Sequence, residues 1–153
     1  MIALTNVVTL PRNPSVFRYD GRDRIGATRA VTVTRAGWAT SPGTLLASAT
    51  EVYDTSRYGT YFIIPVGTNT TPAIQNFSYS SLYIIAADNG TVVQVDRNGD
   101  GIMDITNSLN AGESMFVDGG VLAGATVTAS KPVQVHELTG RIGSSYQSRS
   151  FAI

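Results

Sequence analysis

The sequence lacks cysteine altogether and has one lysine, one histidine and one tryptophan in 153 residues. The absence of cysteine excludes a disulfide framework and thiolate metal sites. Charged residues make up only 14% of the chain and the formal net charge is zero. Without a clustered basic surface, a nucleic-acid binder or a protein of anionic membranes is not expected. No apolar run is long enough to span a bilayer, so membrane insertion is not predicted either.

In place of charge the chain has short runs rich in Val, Thr, Ile and Tyr, separated by Asx-Gly turns. One such series is Ser81–Ala87, the turn Asp88–Gly90, then Thr91–Val95 and, further on, Ser114–Asp118. β-branched and aromatic runs bounded by such turns are typical of antiparallel hairpins. We therefore predict an all-β protein, an antiparallel β-sandwich-like module built from consecutive hairpins.

The remaining strands are predicted from alternation and from turn signals. They are Ile2–Leu10, Ser15–Tyr19, Ala30–Arg35, Thr60–Val66, Gly124–Ala129, Val133–Leu138 and Tyr146–Ile153. Leu45–Tyr53 is the best place for a short helical turn. Pro65 places its strand at a sheet edge or at a strand end.

The chain also repeats itself at an interval of about a hundred residues, the size of one small β module. Ile25–Val33 resembles Val127–Val135, and Tyr61–Ile64 resembles Ser150–Ile153. On this basis residues 1–40 are predicted to end a preceding module and 41–140 to form a complete one. Residues 141–153 are predicted to be the opening strand of a following module. The alternative is that all three parts pack as one compact unit.

A candidate calcium loop lies between two predicted strands. Asp96, Asn98 and Asp100 occupy positions 1, 3 and 5 of such a loop, Gly101 follows, and Ile102 and Asp104 occupy positions 7 and 9. Alternate oxygen donors in a tight loop suit a hard cation, with Ile102 offering its backbone carbonyl. Position 12 is Asn107 rather than Glu, so the loop is not a complete EF-hand. The alternative is a plain hairpin turn, since Asn-Gly and Asp-Gly form such turns unaided.

The other candidate features have simpler explanations. His136, the only histidine, lies beside Glu137 in a predicted strand, so the two side chains point to opposite faces. A histidine on the sheet surface is the simpler reading. Five tyrosines could form a sugar-stacking surface or, more simply, cross-strand pairs: Tyr58, Tyr61, Tyr79, Tyr83 and Tyr146. No nucleophile, phosphate-loop or zinc-protease pattern is present, so no enzymatic activity is expected.

Three segments together resemble the IgGFc-binding N-terminal-like domain, a repeat of large secreted and cell-surface proteins, many of them bacterial. They are Ser81–Val95, Leu109–Ser114 and Gly124–Val135. The resemblance implies an extracellular, all-β repeat of scaffolding or adhesive type, with no catalytic residues. It does not extend to Asp96–Asp104, so it says nothing about a bound ion.

Taken together, these observations predict a calcium-stabilised structural module of the cell surface that builds a fibre, stalk or surface layer. Its expected partners are copies of itself or neighbouring modules, joined by strand addition through a terminal segment. The alternative is a calcium-dependent adhesin that binds surface glycans or proteins.

Overall fold

The computed structural model describes residues 25–37, 48–70, 77–140 and 149–153. Within them the chain forms nine strands and one turn of 3-10 helix, Thr55–Arg57. The strands are β1 Val33–Gly37, β2 Ser48–Val52, β3 Gly59–Ile63, β4 Tyr79–Ala86, β5 Thr91–Asp96, β6 Ile105–Leu109, β7 Ser114–Val117, β8 Thr126–Gly140 and β9 Arg149–Ala152. Every pairing between them is antiparallel. The prediction of an all-β, sandwich-like fold is confirmed.

The fold is organised around β8, which pairs along both of its edges. Near Val133 it pairs with β3 and β4 at once, and near Thr128 with β3 and β5 at once. Since two strands cannot share one edge at one point, β4 and β5 follow each other along one edge of β8. β9 and β3 follow each other along the other edge, because β9 pairs opposite β4. Each half of β8 is thus the centre of its own group of strands.

β4 to β7 form a single long hairpin with a break in the middle of each arm. β5 pairs with β6 and β4 pairs with β7, and the loop after Asp96 closes the hairpin. The break at Asp88–Gly90 faces the break at Asn110–Glu113. The N–H of Ala86 donates to the carbonyl of Glu113 at 3.0 Å. The Asp88–Gly90 turn therefore joins two strands that pair with β8 and not with each other.

A single hydrophobic core draws on both halves of this sheet. Val93, Val95 and Val127 come from one half, and Leu82, Ile84 and Val135 from the other; all six are completely buried. Because their side chains meet in one cluster, the two halves pack face to face as the layers of a sandwich. Phe62 of β3 and Ile153 pack against the margin of the same cluster.

Several boundaries differ from the sequence predictions. Gly124–Ala129 and Val133–Leu138 were expected as two strands, but β8 runs continuously through Pro132. Pro132 lies in an exposed stretch where the register of β3 shifts, so its missing N–H is tolerated there. The helical turn expected within Leu45–Tyr53 is not found in the described part of that stretch, where Ser48–Val52 forms β2; a turn of helix follows at Thr55–Arg57.

The two ends of the described chain lie near each other, because β2 is adjacent to β9. β1 and β2 form a separate two-stranded sheet. β9 pairs with β8 of its own chain, from Thr139 opposite Arg149 to His136 opposite Ala152. The strands expected at Ile2–Leu10 and Ser15–Tyr19 lie outside the described residues.

Candidate functional site: the Asp96–Asp104 loop

The predicted calcium loop closes the long hairpin at one end of the sheet. Asp96 is the last residue of β5 and Ile105 the first of β6. The two strands stay in register up to the loop, because Val95 pairs with Ile105. The N–H of Asp104 also donates to the carbonyl of Val95 at 2.9 Å. The loop is therefore held at both ends by backbone hydrogen bonds.

Inside the loop, alternate polar side chains fold back onto the backbone. Asp96 accepts from the N–H of Asn98 at 3.2 Å, and Asn98 from that of Asp100 at 3.0 Å. Asp100 in turn accepts from the N–H of Ile102 at 2.8 Å. Each bond closes an Asx-turn, and successive Asx-turns curl a chain around the side chains that make them.

Asp96 is the centre of this arrangement. Its side chain is 1% exposed and also accepts from the backbone N–H groups of Gly99 and Gly101, both at 2.7 Å. Burial alone would raise the pKa of the Asp96 carboxyl. The hydrogen bonds from Gly101, Gly99 and Asn98 outweigh it and hold the pKa below its ordinary value. Asp96 therefore keeps its negative charge at neutral pH.

Two of the five predicted ligands are in side-chain contact, since the Nδ2 of Asn98 donates to Asp100 at 2.9 Å. The Asp96 carboxylate accepts from the backbone N–H of Asn98. Asp104 turns instead to Arg97, accepting from its backbone N–H at 2.7 Å with the guanidinium Nε 3.8 Å away. Ile102 is 70% exposed and its side chain is a hydrocarbon, so only its backbone carbonyl could serve as a ligand. No group of three acidic, histidine or cysteine residues suited to a metal occurs among the described residues.

The donor chemistry of the loop nevertheless fits a hard cation. The Oδ2 of Asp96 and both carboxylate oxygens of Asp100 each accept a single N–H, so each retains a lone pair that a hard cation could use. Two carboxylates carry the charge. Water would complete a coordination shell of six to eight oxygens, unless Asp104 left Arg97 to join it.

The loop is braced by the segment that precedes β8. The N–H of Leu122 donates to the carbonyl of Arg97 at 2.9 Å. A Cβ at Gly99, whose φ is +75°, would lie only 2.7 Å from the carbonyl oxygen of Gly124. Close backbone packing requires glycine at position 99, and the left-handed φ of +95° favours it at position 124. The loop is therefore part of the folded body and not a free tip.

A second polar feature lies in the core and was not predicted. Glu137 is completely buried; one of its oxygens accepts from the hydroxyl of Ser80 at 2.8 Å and the other has no hydrogen-bond partner. Burial raises the pKa of Glu137 to about 7, against the opposing effect of the Ser80 bond. The sequence could have indicated this burial. Side chains alternate between the two faces of β8, so Glu137 lies on the same face as the apolar Val133 and Val135.

The expectation of a surface histidine is wrong. His136 is only 9% exposed and lies on the opposite face of β8 from Glu137. It faces Tyr83 across the β4–β8 ladder. The sequence could not show this burial, because a lone His in a strand looks the same on a covered and on an open face of the sheet.

The tyrosines do not assemble a stacking surface in the described residues. Tyr83 forms a cross-strand pair with Phe116, with ring centroids 4.7 Å apart. Tyr79 donates to Asp118 at 2.7 Å and is half-buried, as is Tyr58. Only Tyr61 is exposed, while Tyr146 lies outside the described residues.

Comparisons with known proteins found no matching protein family, no matching curated protein and no matching solved structure. The resemblance to the IgGFc-binding N-terminal-like domain therefore stays a prediction. None of the helical segments in the described residues has the length and apolar character to cross a membrane.

Proposed function

We propose that this chain is a structural β module of the cell surface, stabilised by calcium at the Asp96–Asp104 loop and used to build a fibre, stalk or surface layer. The observation that supports the proposal is the run of Asx-turns through Asp96, Asn98 and Asp100. These turns gather oxygen donors at the closed end of the long hairpin formed by β4 to β7. The Asp96 carboxylate stays ionised there, so a cation finds a charge already in place.

Calcium would stabilise the module by holding the two arms of the hairpin together. Asp96 ends β5, and the loop is bonded to the segment before β8 through Arg97 and Leu122. An ion bound by this loop would therefore link three parts of the fold. A structural role also agrees with the internal sequence repeat and with the absence of any known catalytic pattern in the sequence.

Millimolar calcium should raise the melting temperature of the chain. Binding to the native state alone adds about 2.7 kcal/mol when calcium is at a hundredfold excess over its dissociation constant. Asp100→Ala removes one of the two gathered carboxylates and should abolish the rise. Asp88→Ala, which removes an exposed acid from a different turn, should retain it. Identical melting curves in calcium and in chelator for the unaltered chain would exclude the site.

Assembly tests the structural part of the proposal. Purified chain in calcium should form ordered oligomers or filaments as its concentration rises, visible by negative-stain electron microscopy and by light scattering. Isolated monomers at every concentration, together with no binding in a glycan array, would count against a surface-building role. A calcium-dependent glycan signal without oligomers would favour the adhesin instead.

A further inference from the structure

The small β1–β2 sheet has the same pairing as the hairpin formed by β8 and β9. Val33 corresponds to Val135 in the internal repeat, and Gly37 then corresponds to Thr139. Val33 pairs with Val52 and Gly37 with Ser48. In the second hairpin Thr139 pairs with Arg149, and the carbonyl of Val135 accepts from the N–H of Ile153 at 3.0 Å. The register of β1 against β2 therefore matches that of β8 against β9. This match is in strand pairing, because the sequence repeat ends at Val33 and relates Ser150–Ile153 to Tyr61–Ile64 and not to β2.

The two hairpins differ in what covers them. Val133 and Val127 in β8 are completely buried, whereas the corresponding Val31 and Ile25 are 64% and 56% exposed. β8 has strands on both edges, but among the described residues β1 pairs only with β2. Val31 and Ile25 thus have the apolar pattern of a core strand but lie at the surface. They lie beside the edge of β1 that carries no strand among the described residues.

The chain itself shows what fits such an edge. On the corresponding edge of β8 lies β4, with Ala86 opposite Val133 and Ile84 opposite Val135. These residues bring the apolar side chains that bury β8. A strand with the sequence of β4 would place the same residues beside Val31 and Val33.

We propose that β1–β2 is the closing hairpin of another module of this kind. The edge of β1 away from β2, called the free edge because it carries no strand among the described residues, accepts that module's β4-type strand. The partner must lack a closing hairpin of its own, because β4 in a complete module is already paired with β7 and β8. This inference rests on the proposed structural role and names the contact that joins two modules. It moves the module boundary from residue 40 to the end of β2 and assigns β9 to the module that it closes.

A synthetic peptide of residues 79–86, with solubilising lysines at both ends, tests the edge on the full chain. Because the chain has no cysteine, single introduced cysteines report the register without interference. A peptide carrying Ile84→Cys should form a disulfide with the Val33→Cys chain about tenfold faster than with the Thr34→Cys chain, whose side chain points to the other face. The labelled peptide should also bind the unaltered chain saturably.

Thr34→Pro and Glu51→Pro separate the two edges of the small sheet. By analogy with Val135, whose carbonyl points to β9, the backbone groups of Thr34 point to the free edge. Thr34→Pro should abolish peptide binding. Glu51→Pro, on β2, serves as the matched proline control and should retain it if β1 stays folded, as judged by the Val33→Cys reaction.

Equal disulfide formation at positions 33 and 34, or no peptide binding, would overturn the inference. Calcium stabilisation and oligomer formation would be unaffected by that result and would leave the proposed function standing.

Discussion

Gly67→Ala should be the most destabilising single-methyl change in this module. Gly67 is buried where residues 64–70 cross the segment that precedes β8. An added Cβ would lie 2.2 Å from the backbone nitrogen of Ala123 and 2.3 Å from the carbonyl carbon of Leu122. Neither atom can turn aside as a flexible side chain would. We expect a loss of about 3 kcal/mol in the free energy of unfolding, the upper range for overpacking.

The crossing offers little freedom for a compensating shift. The N–H of Thr68 donates to the carbonyl of Val121, and Ile64 exchanges two hydrogen bonds with Gly124 and Ala125, all at 2.9 Å. The side chain of Asn69 accepts from the N–H of Ala123 at 2.7 Å. A displacement large enough to admit a methyl group would break several of these bonds together.

Thermal and urea unfolding of Gly67→Ala measure the effect, with Gly26→Ala as the matched control. Gly26 has no atom within 4 Å of an added Cβ. The control should melt with the unaltered chain, whereas Gly67→Ala should melt roughly 10 °C lower. If both variants melt together, the close approach of the two segments is wrong.

The module should become less stable as the pH rises from 5 to 8, because Glu137 is held in the core. Burial raises its pKa from an ordinary value of 4.5 to about 7. The folded chain thus binds this proton more tightly than the unfolded chain does. The stabilisation is complete below pH 4.5 and disappears as the pH passes 7. The difference between the two pKa values corresponds to roughly 3 kcal/mol in the free energy of unfolding.

Only neutral groups of the described chain set this shift. The Ser80 hydroxyl is the single described hydrogen-bond partner of the Glu137 side chain, and Thr139 lies on the same face of β8 with its own hydroxyl unpaired. His136 points to the opposite face. Ionised Asp96 has the reverse pH dependence, since its lowered pKa costs stability when the pH falls into the acid range. The difference between the unaltered chain and a Glu137 variant isolates the buried carboxyl.

Glu137→Gln should flatten the pH dependence between 5 and 8, since the amide keeps an acceptor for Ser80 but cannot ionise. Unfolding free energies from urea titrations at several pH values provide the comparison. Glu51→Gln, which changes an exposed carboxyl of β2, should leave the profile of the unaltered chain as it was. A Glu137→Gln profile with the same fall toward pH 8 would show that another group is responsible.

Local patterns in the sequence predicted the fold class and the loop, since both depend on neighbouring residues. The alternation of Thr91–Val95 and the Asp-Asn-Asp spacing each determine a short stretch of backbone on their own. The Asx-turns through Asp96, Asn98 and Asp100 follow directly from that spacing.

What the sequence could not show depends on contacts between distant residues. Asp88–Gly90 has the residues of a hairpin turn, yet β4 and β5 both pair with β8, far along the chain. Asp104 turns to Arg97 because a guanidinium lies close to it in the folded loop. The burial of His136 likewise depends on what lies over its face of the sheet, which neighbouring residues do not reveal.

The position of β8 in the chain has a consequence for the order of folding. β4 to β7 are neighbours in sequence, so their long hairpin can close as soon as Val117 is synthesised, and β5 and β6 need only the short loop between them. β3 has no strand partner among the described residues other than β8 and must wait for it with both edges open. Contacts of such long sequence separation slow folding and expose strands to association with other chains. Because β8 completes both layers at once, the module should fold late and cooperatively. The β5–β6 part of the long hairpin, next to the Asp96–Asp104 loop, should be its earliest ordered part.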